Sequence, residues 1–317
     1  MNSHPTDAGA SPAFSVVAGK RPTESGRFAP SPTGPLHLGS LLAAVGSFLD
    51  ARANGARWLV RIEDLDTPRV VPGCADEQLR TLEAFGFEWD GAVLHQSTRR
   101  EAYRAALATL AANGRTFACS CSRRELAGNG DEAPGYVGTC RNGATKAGPT
   151  AVRFRVSDAP IHFDDIFQGP QDFDLTTCGD VVIERRDGLT SYQLAVVVDD
   201  DFQGVTRVVR GADLLASTPW QLELQAALSM ARPIYGHLPL LLEPDGAKLS
   251  KSRRAIPLDP AQVTKGLITT LTLLSQTPPP DLVHSTVKEV WKWALEHWSP
   301  QALAGMMSKN LSVPGDN

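Results

Sequence analysis

Three clusters in the sequence carry residue types at spacings that can do chemistry. The first is RFAPSPTGPLHLGS, residues 27–40, where three prolines and two glycines surround His37 and lead into an apolar helical pattern. A helix N-terminus has unpaired backbone N–H groups and the positive end of the helix dipole, so it favours phosphate. Pro32 and Pro35 stiffen the approach, Gly34 and Gly39 let a ligand come near the backbone, and His37 adds a donor. The spacing is neither that of a P-loop nor G-x-G-x-x-G, and a rigid capping turn with an incidental histidine is the competing interpretation. The second cluster is KLSKS, residues 248–252, followed by Arg253 and Arg254. Lys248 and Lys251 on a loop with Gly246 can swing over a polyphosphate and offset charge that builds on the α-phosphate during attack. Alone, the same loop also reads as a solvated basic face. The third is CSCSRRELAGNGDEAPGYVGTC, residues 119–140, with Cys119, Cys121, Tyr136 and Cys140. Three thiolates and a phenolate can form a tetrahedral zinc site. Glu125, Asp131 or water can stand in for the tyrosine, and a set of unrelated thiols is the alternative.

The elements around these clusters alternate. Leu41, Leu42, Val45, Phe48 and Leu49 repeat at helical spacing up to a stop at Asn54-Gly55. Residues 56–62 read as a strand, Pro72-Gly73 opens a helix with Leu79, Leu82 and Phe85 on one face, 92–96 reads as a strand and 98–114 as a helix. Strand, helix and strand in this order predict a parallel sheet of α/β type. From Phe117 to Pro149 the periodicity vanishes and Gly, Cys, Ser and Asn dominate, as in an insertion. Strands are expected again at 151–156, 180–188 and 192–200, a helix at 218–231, a short strand from 239 leading into the basic loop, and C-terminal helices with 286–298 the clearest.

Composition bounds the rest. The chain has 317 residues, 42% hydrophobic and 21% charged, enough for one large or two ordinary domains with a real core. No apolar run approaches the ~18 residues of a membrane helix, and the first 25 residues read as a loose tail without a signal-peptide core. A cytoplasmic location and no membrane partner are the expectation. Five cysteines, an odd number, argue for free or metal-bound thiols rather than a disulfide framework. A net charge of −4 does not suit a protein that coats nucleic acid but leaves room for a local basic patch. Arg99, Arg100 and Arg104, then Arg123 and Arg124, then Arg253 and Arg254 are the candidate phosphate contacts, with a solvated basic face as the alternative for each.

RFAPSPTGPLHLGSLLAA, RIEDLDTPR, DGLTSYQLAVVVDD, GVTRVVRGADLLASTPWQLEL and KLSKS lie within about residues 27–258. Together they resemble the glutamyl-tRNA synthetase branch of the class I aminoacyl-tRNA synthetases. The C-x-C and Y-x-x-x-C pattern resembles the zinc site of the truncated, queuosine-directed paralogues in that branch. The chain after Ser252 is short for a full anticodon-binding domain, which agrees. The resemblance implies a Rossmann-like catalytic domain in two halves, 26–116 and 151–258, with a zinc-binding insertion at 117–150, a tail at 1–25 and a short C-terminal helical segment at 259–317. It implies ATP-dependent activation of L-glutamate and its transfer to queuosine in the anticodon of tRNA(Asp), Mg2+ arriving with ATP, one zinc per chain, and a monomer. It places Pro30, His37, Gly39, Ser40, Lys248 and Lys251 on ATP, with His37 and Lys251 closest to the chemistry. Arg27, Ser31, Glu63, Tyr192 and Arg210 fall on glutamate. A glutamyl-tRNA synthetase charging a tRNA 3′ end, and an inactive tRNA- or nucleotide-binding module, are the alternatives. Arg210 paired with Asp213, Glu63 and Asp64 capping a strand end, and Tyr192 as core are the structural readings of those residues. Cys74, Cys178, His95 and His237 have no motif behind them.

Overall fold

The protein is described by a computed structural model over residues 24–126, 136, 138–243 and 258–310. Lys248, Lys251, Arg253, Arg254 and Asp131 lie outside the described residues.

β1 (Ser25–Phe28) is buried along its whole length and leads through the proline turn to α1 (Leu38–Ala53). α1 ends at Asn54, and Gly55 takes a positive φ of 66° that reverses the chain into β2 (Arg57–Ile62). β2 runs parallel to β1, with Ser25 opposite Arg57 and Phe28 opposite Val60. α2 (Cys74–Ala84) returns to β3 (Leu94–His95), parallel to β2, and α3 (Arg100–Ala112) follows. The chain then forms β4 (Thr116–Cys119), α4 (Arg123–Leu126) and β5 (Ala151–Phe154). After these come β6 (Ile161–Asp165), β7 (Gly169–Phe173), α5 (Leu175–Cys178), β8 (Val181–Glu184) and α6 (Tyr192–Phe202). β9 (Arg207–Gly211), α7 (Thr218–Ala227), β10 (Ile234–Leu238) and β11 (Leu240–Leu242) come next. From residue 258 on, the described residues form α8 (Val263–Leu273), α9 (Val287–His297) and β12 (Ser308–Asn310), which pairs with β11.

β10 runs parallel to β9, placing His237 opposite Arg210, and meets β6 at Tyr235 and Asp165. Thr206 N donates to Ser25 O at 2.9 Å, so β9 lies beside β1 and the order across the join is β3-β2-β1-β9-β10. The chain order reverses between β1 and β9, and the carboxyl ends of strands at such a reversal open into a crevice. α1 covers one face of this sheet. Gly46 is what lets it lie close, since a Cβ there would come 2.5 Å from a Leu238 methyl. β4, β5 and β8 form a separate antiparallel sheet.

The expected strand at 192–200 is a helix, α6. Leu194 to Asp200 are all buried, because α6 packs against α3, α7 and β8 at once. A helix covered on all sides shows no polar stripe, and its valine run then imitates a buried strand. The strands β6, β7, β9, β10 and β12 carried no expectation from the sequence. No described helix is long and apolar enough to cross a membrane.

Candidate active site and thiol cluster

Two clefts open at the carboxyl ends of the central strands and share Ser31 as a wall. The first, about 470 Å³, is lined by Pro30, Ser31, Gly34, His37, Gly39 and Ser40 from the proline turn and by Gly211, Asp213 and Leu240 from the other half-sheet. The second, about 570 Å³, holds Glu63, Asp66, Arg69, Arg185, Thr190 and Tyr192. Both have the size of small-molecule sites.

His37 is the N-cap of α1. Its Nδ1 accepts from the amides of Gly39 at 3.1 Å and Ser40 at 3.3 Å, which makes Nε2 the protonated nitrogen of a neutral ring. The ring thus occupies two of the helix-tip amides that sequence reasoning offered to phosphate. Gly39 serves this cap, since a Cβ there would sit 3.0 Å from His37 Cε1.

Of the charged residues expected on glutamate, Arg27 and Glu63 belong to one connected group beside the clefts and Arg210 to another. Asp200, buried on α6, takes Arg27 Nε at 3.1 Å and Arg61 Nη1 at 2.7 Å. Arg61 Nη2 reaches Glu63 at 3.4 Å. Burial pushes the Glu63 carboxyl above the usual range, against the pull of Arg61 and Arg27. Asp64 is used differently. Both its oxygens accept from Ser97, at 2.7 Å each, and cap the turn before α3. Of the two neighbouring acids, only Glu63 faces a cleft.

Arg210 is engaged at every nitrogen. Nε donates to His237 at 3.1 Å, Nη1 to Tyr192 Oη at 3.1 Å and Gln221 at 2.8 Å, and Nη2 to Thr218 at 2.9 Å and Leu214 O at 3.4 Å. Arg27 and Arg210 are 3% and 5% exposed and stand behind the cleft walls, so Tyr192 Oη carries the effect of Arg210 to the second cleft. His237, without a motif in the sequence, is fully buried in this network. Asp66, Arg69 and Arg185 also escaped residue-level notice, although RIEDLDTPR contains two of them. Asp66 accepts from Arg69 at 2.6 Å and Arg185 at 3.1 Å, and these guanidinium groups hold its carboxyl below the usual range. Arg99 is bound to buried Asp199 at 2.7 Å and stacks on Phe202, which gives it a structural role.

The second assembly lies on the β4-β5-β8 sheet. The sulfurs of Cys119, Cys121 and Cys140 all lie within 4.8 Å of one another, with Cys121 and Cys140 3.6 Å apart. Sulfurs ~2.3 Å from one tetrahedral zinc would be about 3.8 Å apart, so the cluster fits a metal. Tyr136 Oη stands 3.7 Å from the Cys119 sulfur and accepts from Cys140 N at 2.7 Å. Burial works against a Cys140 thiolate, but the Ser120 and Thr145 amides and the Ser120 hydroxyl outweigh it and hold its pKa at about 5. Burial and the neighbouring sulfurs push Cys121 up to about 11 and also raise Tyr136. Such groups release their protons to the charge of a cation. Glu125 is tied instead to Ser122 and Lys146. Cys74 is away from the cluster, its thiol on Gly34 O at 3.0 Å, and Cys178 also stands outside it.

Residues 25–274 match the family of tRNA synthetases class I (E and Q), catalytic domain. The glutamyl-Q tRNA(Asp) synthetase of Aromatoleum aromaticum is 53% identical over 283 residues, covering 88% of this chain and 90% of that protein. Its counterpart in Geobacter sulfurreducens is 50% identical over 301 residues, covering 91% and 96%. Among solved structures, the glutamate-tRNA synthetase of Elizabethkingia anophelis superposes with a TM-score of 0.73 at 25% identity, over 92% of this chain and 68% of that one.

Proposed function

The chain belongs to the class I tRNA synthetases of the E and Q type and is a ligase, and we propose that it activates L-glutamate with ATP and transfers it to queuosine in the anticodon of tRNA(Asp). The observation that carries this reading is the pair of clefts meeting at Ser31, one at the tip of α1 and one before Glu63 and Tyr192.

ATP lies in the first cleft, along Pro30, His37, Gly39 and Ser40, with Mg2+ carried by its phosphates. Glutamate takes the side of Ser31 and Tyr192. Its ammonium pairs with Glu63, and its carboxylates meet the field of Arg27 and Arg210. A carboxylate oxygen of glutamate attacks the α-phosphorus, the bond to the bridging oxygen breaks, and pyrophosphate leaves with the electron pair. Lys251 and Lys248, whose motif matches the family pattern, offset charge on the α-phosphate. A hydroxyl of the queuosine cyclopentenediol then attacks the glutamyl carbonyl, AMP leaves, and the hydroxyl proton passes to the phosphate oxygen or to water. The acceptor base enters over Asp66, Arg69 and Arg185. Catalysis rests on positioning and charge rather than on a side-chain acid or base.

Cys119, Cys121 and Cys140, with Tyr136 as fourth donor, would hold zinc. The ion would supply a structural cross-link, since the described residues of this segment form only a small apolar cluster of their own.

ATP–pyrophosphate exchange with glutamate and no tRNA tests the first half. Transfer of labelled glutamate to tRNA(Asp) with and without queuosine tests the second. Equal transfer to both tRNAs would replace this reading by charging at the 3′ end.

A further inference from the structure

β10 sets His237 directly opposite Arg210 on β9, and the β10–β6 pairing brings Asp165 to its other side. Asp165 Oδ2 meets His237 Nδ1 at 2.5 Å, while its Oδ1 accepts the amides of Phe167, Gln168 and His237 at 3.0 Å each. A carboxylate held by three amides cannot turn away, and it can only accept, so Nδ1 carries the ring proton. Nε2 then presents a lone pair to Arg210 Nε at 3.1 Å, with Thr218 Oγ1 also at 3.2 Å. The opposite tautomer would set an N–H against an N–H, and a protonated ring would add a like charge beside Arg210 in a fully buried place.

We infer that His237 is a positioning residue for the amino-acid pocket: Asp165 fixes its tautomer, and its Nε2 aims Arg210 at Tyr192 Oη and the glutamate behind it. The inference rests on the proposed role of Arg210 in glutamate binding. Burial lowers the basicity of His237 despite Asp165, which agrees with a neutral ring. The other charged or titratable groups around it are Arg210, Arg27 and the stacked Tyr235. Asp165 and His237 do not line either cleft, so their effect passes through Arg210, directly and by way of Thr218, which also holds Arg210 Nη2 at 2.9 Å.

The test has two independent arms. The first needs no substrate: imidazole nitrogen NMR of the full chain should show His237 neutral with the proton on Nδ1 between pH 6 and 8. A ring protonated on Nε2 in the wild type overturns the inference, whatever the enzyme binds. The second is ATP–pyrophosphate exchange by wild type, H237Q, H237L and D165N. Gln keeps an acceptor near the Nε2 position, whereas Leu removes it, and Asn at 165 frees the ring to put its proton on Nε2. The glutamate KM should rise about tenfold or more in H237L and D165N and stay within about threefold in H237Q, with the ATP KM nearly constant in all. If H237L does not fold, the contrast between D165N and H237Q carries the test. Glutamate and ATP constants that worsen together, or H237Q as impaired as D165N, would sink the inference while wild-type exchange still upheld the glutamate reading. Absence of wild-type exchange would overturn that reading, with the tautomer spectrum still deciding the placement of His237.

Discussion

At Glu63 one carboxylate does two things. It accepts from buried Arg61, and it faces the cleft where an ammonium group would sit. Burial raises its pKa, so it takes up a proton at a higher pH than an ordinary carboxylate. A protonated Glu63 offers no charge to an ammonium, hence glutamate binding should weaken as pH falls and begin to do so above the usual carboxylate range. Glu63→Gln should raise the glutamate KM roughly 10- to 100-fold, as expected for loss of a charged hydrogen bond of ~1.5–3 kcal/mol. It should also flatten the acid side of the KM–pH curve. An unchanged curve in that variant would assign the acid limb elsewhere. Neighbouring Asp64 caps the turn at Ser97, so Asp64→Asn should lower stability more than it alters the glutamate KM, read by thermal melting beside exchange kinetics.

On the scale of elements, the thiol cluster depends on a bridge between Tyr136 and Gly179, just before β8. Gly179 has φ +72°, and a Cβ there would stand 2.1 Å from Tyr136 O, nearer than any side chain can approach backbone. Gly179→Ala should displace Tyr136 and weaken zinc retention at least tenfold, measured by competition with a chromogenic chelator. If Tyr136 is no ligand, Gly179→Ala and Tyr136→Phe should part, the second leaving zinc affinity untouched. Chelation of wild type should loosen the segment around β4 and β5 while the main sheet holds, because its core is built from α1, β1 and β2 rather than from the cysteine sheet. Hydrogen exchange by segment would show this, and simultaneous exposure of α1 would contradict it.

In the whole molecule, the C-terminal helices are part of the main hydrophobic core. Trp291 on α9 packs on Phe48 of α1 and on Phe87, with ring centroids 4.8 and 4.9 Å apart, and its indole N–H donates to Phe85 O at 2.9 Å. Trp291→Ala should cost about 3–5 kcal/mol and lower the single unfolding midpoint of the whole chain in denaturant. A second, separate transition for the C-terminal segment would refute a shared core. Residue types and spacing alone determined much of this protein: the proline turn ahead of α1, the βαβ start, the helix at 286–298, and the cysteines that gather. Those signals are local, since turn chemistry, helical period and ligand types act over a few residues. Tertiary structure alone decided that the valine run of α6 is a helix, that Asp64 and not Glu63 caps the turn at Ser97, and that His237 stands behind Arg210. Each of these depends on which distant strand or helix lies alongside, and a burial pattern or a cross-strand register exists only once the sheet has formed.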